Sequence, residues 1–370
     1  LLNPTPAPTS GPATPAVPQN ADVQLGAGND YIKLRAGTVN VNTGDGDDRL
    51  EILNLDQAGI LTNADSINGG AGRDVLISNA LSFNNLVAVD SATGNLVERV
   101  VAVEALEATG TGTINIDAGA ISREIREFIV INNNTGVNFT NLINTDTIEL
   151  RSFQINKATD GSVGDLTFAS AVSPVSSIGN LKVTLEGAAR IPPNVNTEVD
   201  GEQGVVVAGF AAFTNFKSIE LTSRDGNIDN LATTSPIHRF VEGSQFSNAN
   251  DPMNVTLKGR GTFDLGAITN NNNLTINASQ LDGVLRADLT DIDLNFQVNV
   301  TGTSGDDSFR VGAEPRPNNG PSSSNDRTVI NAGMGMNDKI LIAGNYSPID
   351  DASLEGVEIV EFDQLQNVIT

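Results

Sequence analysis

The residues of this 370-residue chain best suited to chemistry are aspartates set among glycines. The stretch Gly69-Gly70-Ala71-Gly72-Arg73-Asp74-Val75-Leu76-Ile77 fits the nonapeptide G-G-x-G-x-D-x-U-x at every fixed place. Its glycines permit a tight turn that aims backbone carbonyls inward. The sixth-place aspartate adds a carboxylate, and the eighth-place apolar residue plugs a short strand into a core. Such oxygens suit a hard cation, Ca2+, which takes about six to eight of them.

The same phase recurs over residues 25–33, 34–42, 43–51 and 60–68. The eighth place is Ile32, Val41, Leu50, Ile67 and Leu76, and the fourth is Gly28, Gly37, Gly46, Asn63 and Gly72. Candidate ligands are therefore Gly28, Asp30, Asp45, Gly46, Asp48, Asp65, Gly70, Gly72 and Asp74. In a roll whose turns alternate sides, neighbours on one side lie two blocks apart, as Asp30 and Asp48 do at 18 residues. Asp56 and Asp74 are also 18 apart and Asp48 and Asp65 are 17 apart, so the segment 52–59 reads as one distorted turn. Leu25, Val39 and Asn63 depart from the pattern. The expectation is about two or three ions here rather than one per turn. Without a cation, two carboxylates about 5 Å apart repel by roughly 3 kcal/mol at an effective dielectric of about 20, so binding should be coupled to folding.

A second cluster lies near the C-terminus. Thr303-Ser304-Gly305-Asp306-Asp307-Ser308-Phe309 keeps the Gly305, Asp307 and apolar places. Residues 332–340 keep them with one insertion, which puts Asp338 out of phase or leaves Asn337 as the ligand. Residues 225–229 and Asp160-Gly161 read as plain turns. The lone His238 has no motif around it and reads as a surface or half-buried histidine.

These turns need short strands between them. With 36 Gly, no Cys, no Trp and 4% aromatics, the composition favours strands and turns over helices. Residues 181–185, 254–257, 274–277 and 297–300 alternate as strands do, while Ser122 to Ile131 reads as a helix or, from its Phe-Ile-Val-Ile ending, a strand. Val103-Glu104, Ile148-Glu149, Ile219-Glu220 and Val357-Glu358 repeat a pattern, and residues 255–268 resemble residues 106–121, as stacked similar layers would. The expected fold is all-β: a parallel β-roll or solenoid with calcium-binding nonapeptide turns, β-rich throughout. Residues 1–20, with Pro at six places, form a linker; residues 21–80 form the first roll, 81–300 a stacked-layer region and 301–370 a second roll-like segment.

A net charge of −24 suits cation binding and disfavours nucleic acid, and the absence of Cys removes disulfides and thiolate chemistry. No apolar run is long enough to span a membrane as a helix. The start at Leu1 shows no signal peptide, as in a fragment of a longer protein or one exported by a C-terminal signal.

The full nonapeptide, TGTSGDDSF at 301–309, INAGMGMNDKILI at 330–342 and LEGVEIVEF at 354–362 together resemble RTX-type bacterial S-layer proteins and related hemolysin-type surface proteins. That resemblance covers about a third of the chain. It implies an exported, calcium-dependent structural protein of the bacterial cell surface. Its partners would be further copies of itself in a lattice, with cell-surface polysaccharide as an additional candidate. An adhesin or biofilm matrix protein is the alternative. An enzyme is disfavoured, because neither H-E-x-x-H nor G-x-S-x-G occurs, although a glycosidase could work with two carboxylates alone.

Overall fold

The structure is a computed structural model that describes residues 21–34, 39–55, 66–83, 86–89, 96–122, 124–131, 135–151, 165–171, 178–186, 205–224, 237–293, 296–312, 328–343 and 353–362. The proposed linker, Asp65, and the turns at Asp160 and at 225–229 lie outside these residues.

The described strands form a parallel solenoid, and no α-helix occurs among the described residues. Each strand pairs with its counterpart one coil later: Tyr31 opposes Arg49, and Arg49 opposes Val75. The one antiparallel pairing among the described residues is the hairpin of Val87–Val89 with Leu96–Glu98. One face of the coil, here face 2, is paired without a break from Tyr31–Leu34 to Ser353–Glu355. The rolls expected at the two ends and the stacked layers between them are therefore stretches of one solenoid. Face 1 is a four-stranded sheet made of Ala21–Gln24, Val39–Asn42, Ser66–Asn68 and Val100–Val101. Face 3 takes over with Ile114–Asp117 and continues to Ile359–Phe362.

Alternation explains the strands. In Leu166–Ser170, Leu166 and Phe168 are buried while Thr167 between them is half-buried. Inward residues stack in columns, one of them the aromatic column of Phe139, Phe168, Phe213 and Phe246, with ring centroids 5.5, 5.0 and 5.3 Å apart and near-parallel planes. All four are fully buried. The segment from Ser122 resolves as the strand Glu127–Ile131, as its run of β-branched and aromatic residues favours. Phe128 and Val130 enter the main core, whereas Ile129 faces the opposite side and joins Val75, Ile77 and Ala105 in a small outer cluster.

Two long strands, Met253–Asn270 and Leu274–Leu289, run from face 2 through the corner into face 3. Glycines make this possible: a β-carbon at Gly283 would lie 1.7 Å from the Gly261 carbonyl oxygen. His238 sits in this region and is 1% exposed, not on the surface or half-buried as its sequence context suggested. Its ring packs on Phe263 at 5.1 Å. The Ser223 hydroxyl donates to the Arg260 carbonyl and lies 2.7 Å from His238 Nε2, so the ring nitrogen there must carry the hydrogen.

Burial pushes His238 down to about 3. An unfolded histidine gains its proton near pH 6.5, so the stability its neutral burial contributes is complete above that pH and drains as pH falls toward 3. By pH 4.5 the loss is about 2–3 kcal/mol. Urea unfolding of wild type and His238→Gln at pH 7 and 4.5 checks this: wild type should lose that much more than the variant. Equal losses would mean that His238 is protonated in the folded protein.

Candidate metal centre

The glycine-aspartate turns stack along one edge of the solenoid. Turns 25–30, 43–48 and 69–74 each lead from face 1 into face 2, and the aspartate is the last residue before the face 2 strand. Gly28, Gly46 and Gly72 have φ of 123, 134 and 138°, conformations that side chains oppose. The turns also approach closely: a β-carbon at Gly70 would lie 1.8 Å from the Gly44 carbonyl oxygen and one at Gly72 would lie 2.1 Å from that of Gly46. Asp45 joins the stack through its backbone, its carbonyl accepting from Gly28 N at 2.7 Å, while its side chain is exposed.

The aspartates form a ladder. Asp30 N–H donates to Asp48 Oδ1 at 2.7 Å, Asp48 N–H to Asp74 Oδ1 at 2.8 Å and Asp74 N–H to Glu104 Oε2 at 2.8 Å. The steps are 18, 26 and 30 residues. The 18-residue step is the one the sequence suggests. The next partner of Asp48 is Asp74 rather than Asp65, because chain inserted between the face 2 strand Arg49–Ile52 and the next face 1 strand lengthens the coil without shifting its register.

A second ladder stands at the corner between faces 2 and 3. Asp307 N–H donates to Asp338 Oδ1 at 2.6 Å and Asp338 N–H to Glu358 Oε2 at 2.9 Å. Asp338 is thus in phase, contrary to the sequence expectation: Ser308 opposes Lys339, and the turn absorbs the extra residue. Asn337 instead binds Asp306 on the outside of the turn, its Nδ2 lying 3.0 Å from Asp306 Oδ2. At Gly305 a β-carbon would meet the Gly283 carbonyl oxygen at 2.2 Å, the same stacking as in the first ladder.

The ladders leave oxygens over. Asp48 Oδ2, Asp74 Oδ2 and Asp338 Oδ2 are buried with no hydrogen-bond partner. Burial pushes Asp74 up to about 6, with the charges of Asp48 and Glu104 adding to it against the Asp48 N–H, and burial likewise raises Asp338. Asp307 also rises to about 6 through burial, but both of its oxygens are satisfied, Oδ1 by Leu285 N–H and Oδ2 by Thr303 N–H. It is the weaker candidate.

Laddering alone does not call for carboxylates. Asn273 Oδ1 accepts from Gln297 N, and Asn271 Oδ1 from Asn248 N, each at 2.9 Å or less, with no charge to desolvate. The protein's own cations are also turned elsewhere: Arg49 pairs with Glu107 at 2.9 Å and Arg73 with Glu127 at 2.6 Å on the outer surface. Further along the same column Arg126 lies 3.7 Å from buried Asp146, so there the fold supplies its own counter-charge. No ion pair reaches Asp48 or Asp74 among the described residues.

Among the described residues no three acidic or histidine side chains converge on one point, so a cation would need carbonyls as well. The turns provide them. A β-carbon at Gly69 would lie 1.9 Å from the Ala102 carbonyl oxygen and 2.6 Å from Asp74 Oδ2. One at Gly302 would lie 2.2 Å from the Ala332 carbonyl oxygen and 2.3 Å from Asp307 Oδ2. Carbonyl and carboxylate oxygens thus converge on a side of the turn that glycine leaves bare, the donor set that calcium takes.

Glu104 and Glu358, which close the two ladders, were not among the residues the nonapeptide pattern picked out. Their signal was the repeated Val103-Glu104 and Val357-Glu358. Ile148-Glu149 and Ile219-Glu220 carry the same pattern, a β-branched residue followed by Glu, for another purpose, because Glu149 pairs with Arg151 and Glu220 with Lys258. No protein-family model, curated protein or solved structure matches the chain.

Proposed function

We propose that this chain is a calcium-ordered, non-enzymatic structural module of the bacterial cell surface, of the RTX and S-layer kind. The observation that carries the reading is the column of buried Asp48 and Asp74, each with one oxygen spent on the ladder and one left over. Asp48, Asp74 and Glu104, with the carbonyls of the glycine turns, would hold one set of ions, and Asp338 with Glu358 another. Calcium there would supply positive charge and coordination to oxygens that the fold otherwise strands. The chain's own residues do the rest: glycines bring successive turns together, and the ladder hydrogen bonds fix the height of each carboxylate.

Export fits this design. Where calcium is plentiful each independent site adds about 2.7 kcal/mol at 100 times its dissociation constant, so a few sites decide whether the rolls are ordered. The net charge of −24 and the resemblance of the end segments to RTX-type surface proteins support the same placement.

Circular dichroism on chelated protein, then in millimolar calcium, tests the proposal. A gain in β signal and a higher unfolding midpoint are expected, with magnesium giving much less, since it prefers rigid octahedral sites and keeps its water. An unchanged spectrum and midpoint would sink the calcium reading.

A further inference from the structure

Ala102 has φ of 50°, in the left-handed region that a β-carbon opposes. The other non-glycines with positive φ among the described residues are Asn54, Asn141 and Asn215, of a type that tolerates it. Ala102 therefore needs holding, and its place in the coil shows by what. The residue after each face 1 strand donates its N–H to the end of the next strand: Leu25 to the Asn42 carbonyl at 2.8 Å, Thr43 to that of Asn68 at 3.0 Å and Gly69 to that of Val101 at 3.1 Å. Val100–Val101 is the last strand of that sheet, so at Ala102 the column has no further strand to receive the N–H. The Glu124 carboxylate, from the next coil, takes the missing carbonyl's place and accepts the Ala102 N–H. Glu124 is itself anchored, its backbone N–H donating to Oγ of buried Ser122 at 3.4 Å.

What this arrangement holds in place is a carbonyl. The corner Ala102-Val103-Glu104 crosses from face 1 to face 2 in three residues where turns 43–48 and 69–74 use six, so it has no glycine loop to lay over Asp74. Ala102 supplies the oxygen instead. The point beside Gly69 where a β-carbon would stand lies 1.9 Å from the Ala102 carbonyl oxygen and 2.6 Å from Asp74 Oδ2. Asp74 is 0% exposed, and that Oδ2 has no hydrogen-bond partner.

We propose that Glu124 is a positioning residue for the last calcium of the first ladder: by holding Ala102 left-handed it aims the Ala102 carbonyl, beside Asp74 Oδ2, at the ion. Relaxation of Ala102 to negative φ would turn the peptide and take that oxygen away. Glu124 acts through its reach and not its charge, because neutral carbonyls make the same contact in the coils before it.

The inference rests on the calcium reading above, and calorimetric titration of the chelator-stripped full chain with calcium chloride separates the two. Glu124→Gln keeps an oxygen at the same reach without the charge and should bind as wild type does. Glu124→Asp keeps the charge but is one methylene short. It and Glu124→Ala should each bind one ion about 10–100-fold more weakly, with the other ions unchanged. Dichroism at saturating calcium should be the same for all four proteins, since Glu124 is exposed. The opposite order, with Asp like wild type and Gln as weak as Ala, or three variants that all bind like wild type, would overturn the assignment of Glu124 and leave the calcium reading standing. Wild type that takes up no calcium would sink that reading and this assignment with it.

Discussion

In chelated protein Asp74→Asn should melt at a higher temperature than wild type, and in millimolar calcium at a lower one. The side-chain oxygen that accepts the Asp48 N–H survives in asparagine, so the ladder is kept. What disappears is a buried charge whose pKa stands at about 6 because of desolvation. Holding that carboxylate ionised at neutral pH costs up to about 3 kcal/mol relative to an unfolded aspartate, and removing it should return about 1–3 kcal/mol. Calcium should reverse the comparison. If the proposed site binds calcium, wild type should then gain the binding energy and the variant should not, so the order of the melting curves should invert. Thermal unfolding of both proteins with chelator and with calcium reads this directly. A substitution that shifts the midpoint the same way in both conditions would show that Asp74 is a ladder residue and nothing more.

The parts of this arrangement legible in the sequence are those set within a single turn. Gly70, Gly72 and Asp74 announce themselves because turn geometry demands glycine at fixed places and the ladder demands an acid just before the strand. The partners of those residues are harder to read, because a solenoid fixes which strands stack and not how much chain lies between them. The step from Asp48 to Asp74 is 26 residues and from Asp307 to Asp338 is 31, so a search at constant period pairs Asp48 with the wrong acid. Counting within a turn misleads for the same reason. The residue inserted before Asp338 is taken up by the turn, since the strand pairing of Ser308 with Lys339 is what sets the height of the acid. Glu104 and Glu358 were visible only as an echo, since an acid at the same position with one more methylene breaks the nonapeptide but still reaches the N–H. The corners of the middle coils follow no motif at all: there Gly261 and Gly283 let a single long strand bend where other coils use a loop.

The largest effect outside the acid ladders should come from the phenylalanine column. Phe168 lies between Phe139 and Phe213, with its ring 5.5 Å from one and 5.0 Å from the other and with almost none of its surface exposed. Truncation to alanine removes both stacking contacts and leaves a void between coils whose heights are fixed by backbone pairing, so the neighbours cannot close it. Phe→Ala in such a core costs about 3–5 kcal/mol. Phe168→Leu refills much of the volume and should cost clearly less. Because each coil touches only the coils beside it, the damage should be local in origin. Native-state hydrogen exchange should show the greatest loss of protection in Val137–Leu142, Leu166–Ser170 and Val205–Thr214, the strands stacked around the void. Leu274–Leu289, several coils away, should keep more of its protection. Equal loss in all of these strands would mean that the solenoid opens as a single cooperative unit. In that case any stability that calcium added at the acid ladders, as proposed, would be shared by every coil, and calcium would raise protection around the Phe168 void as much as at Asp74.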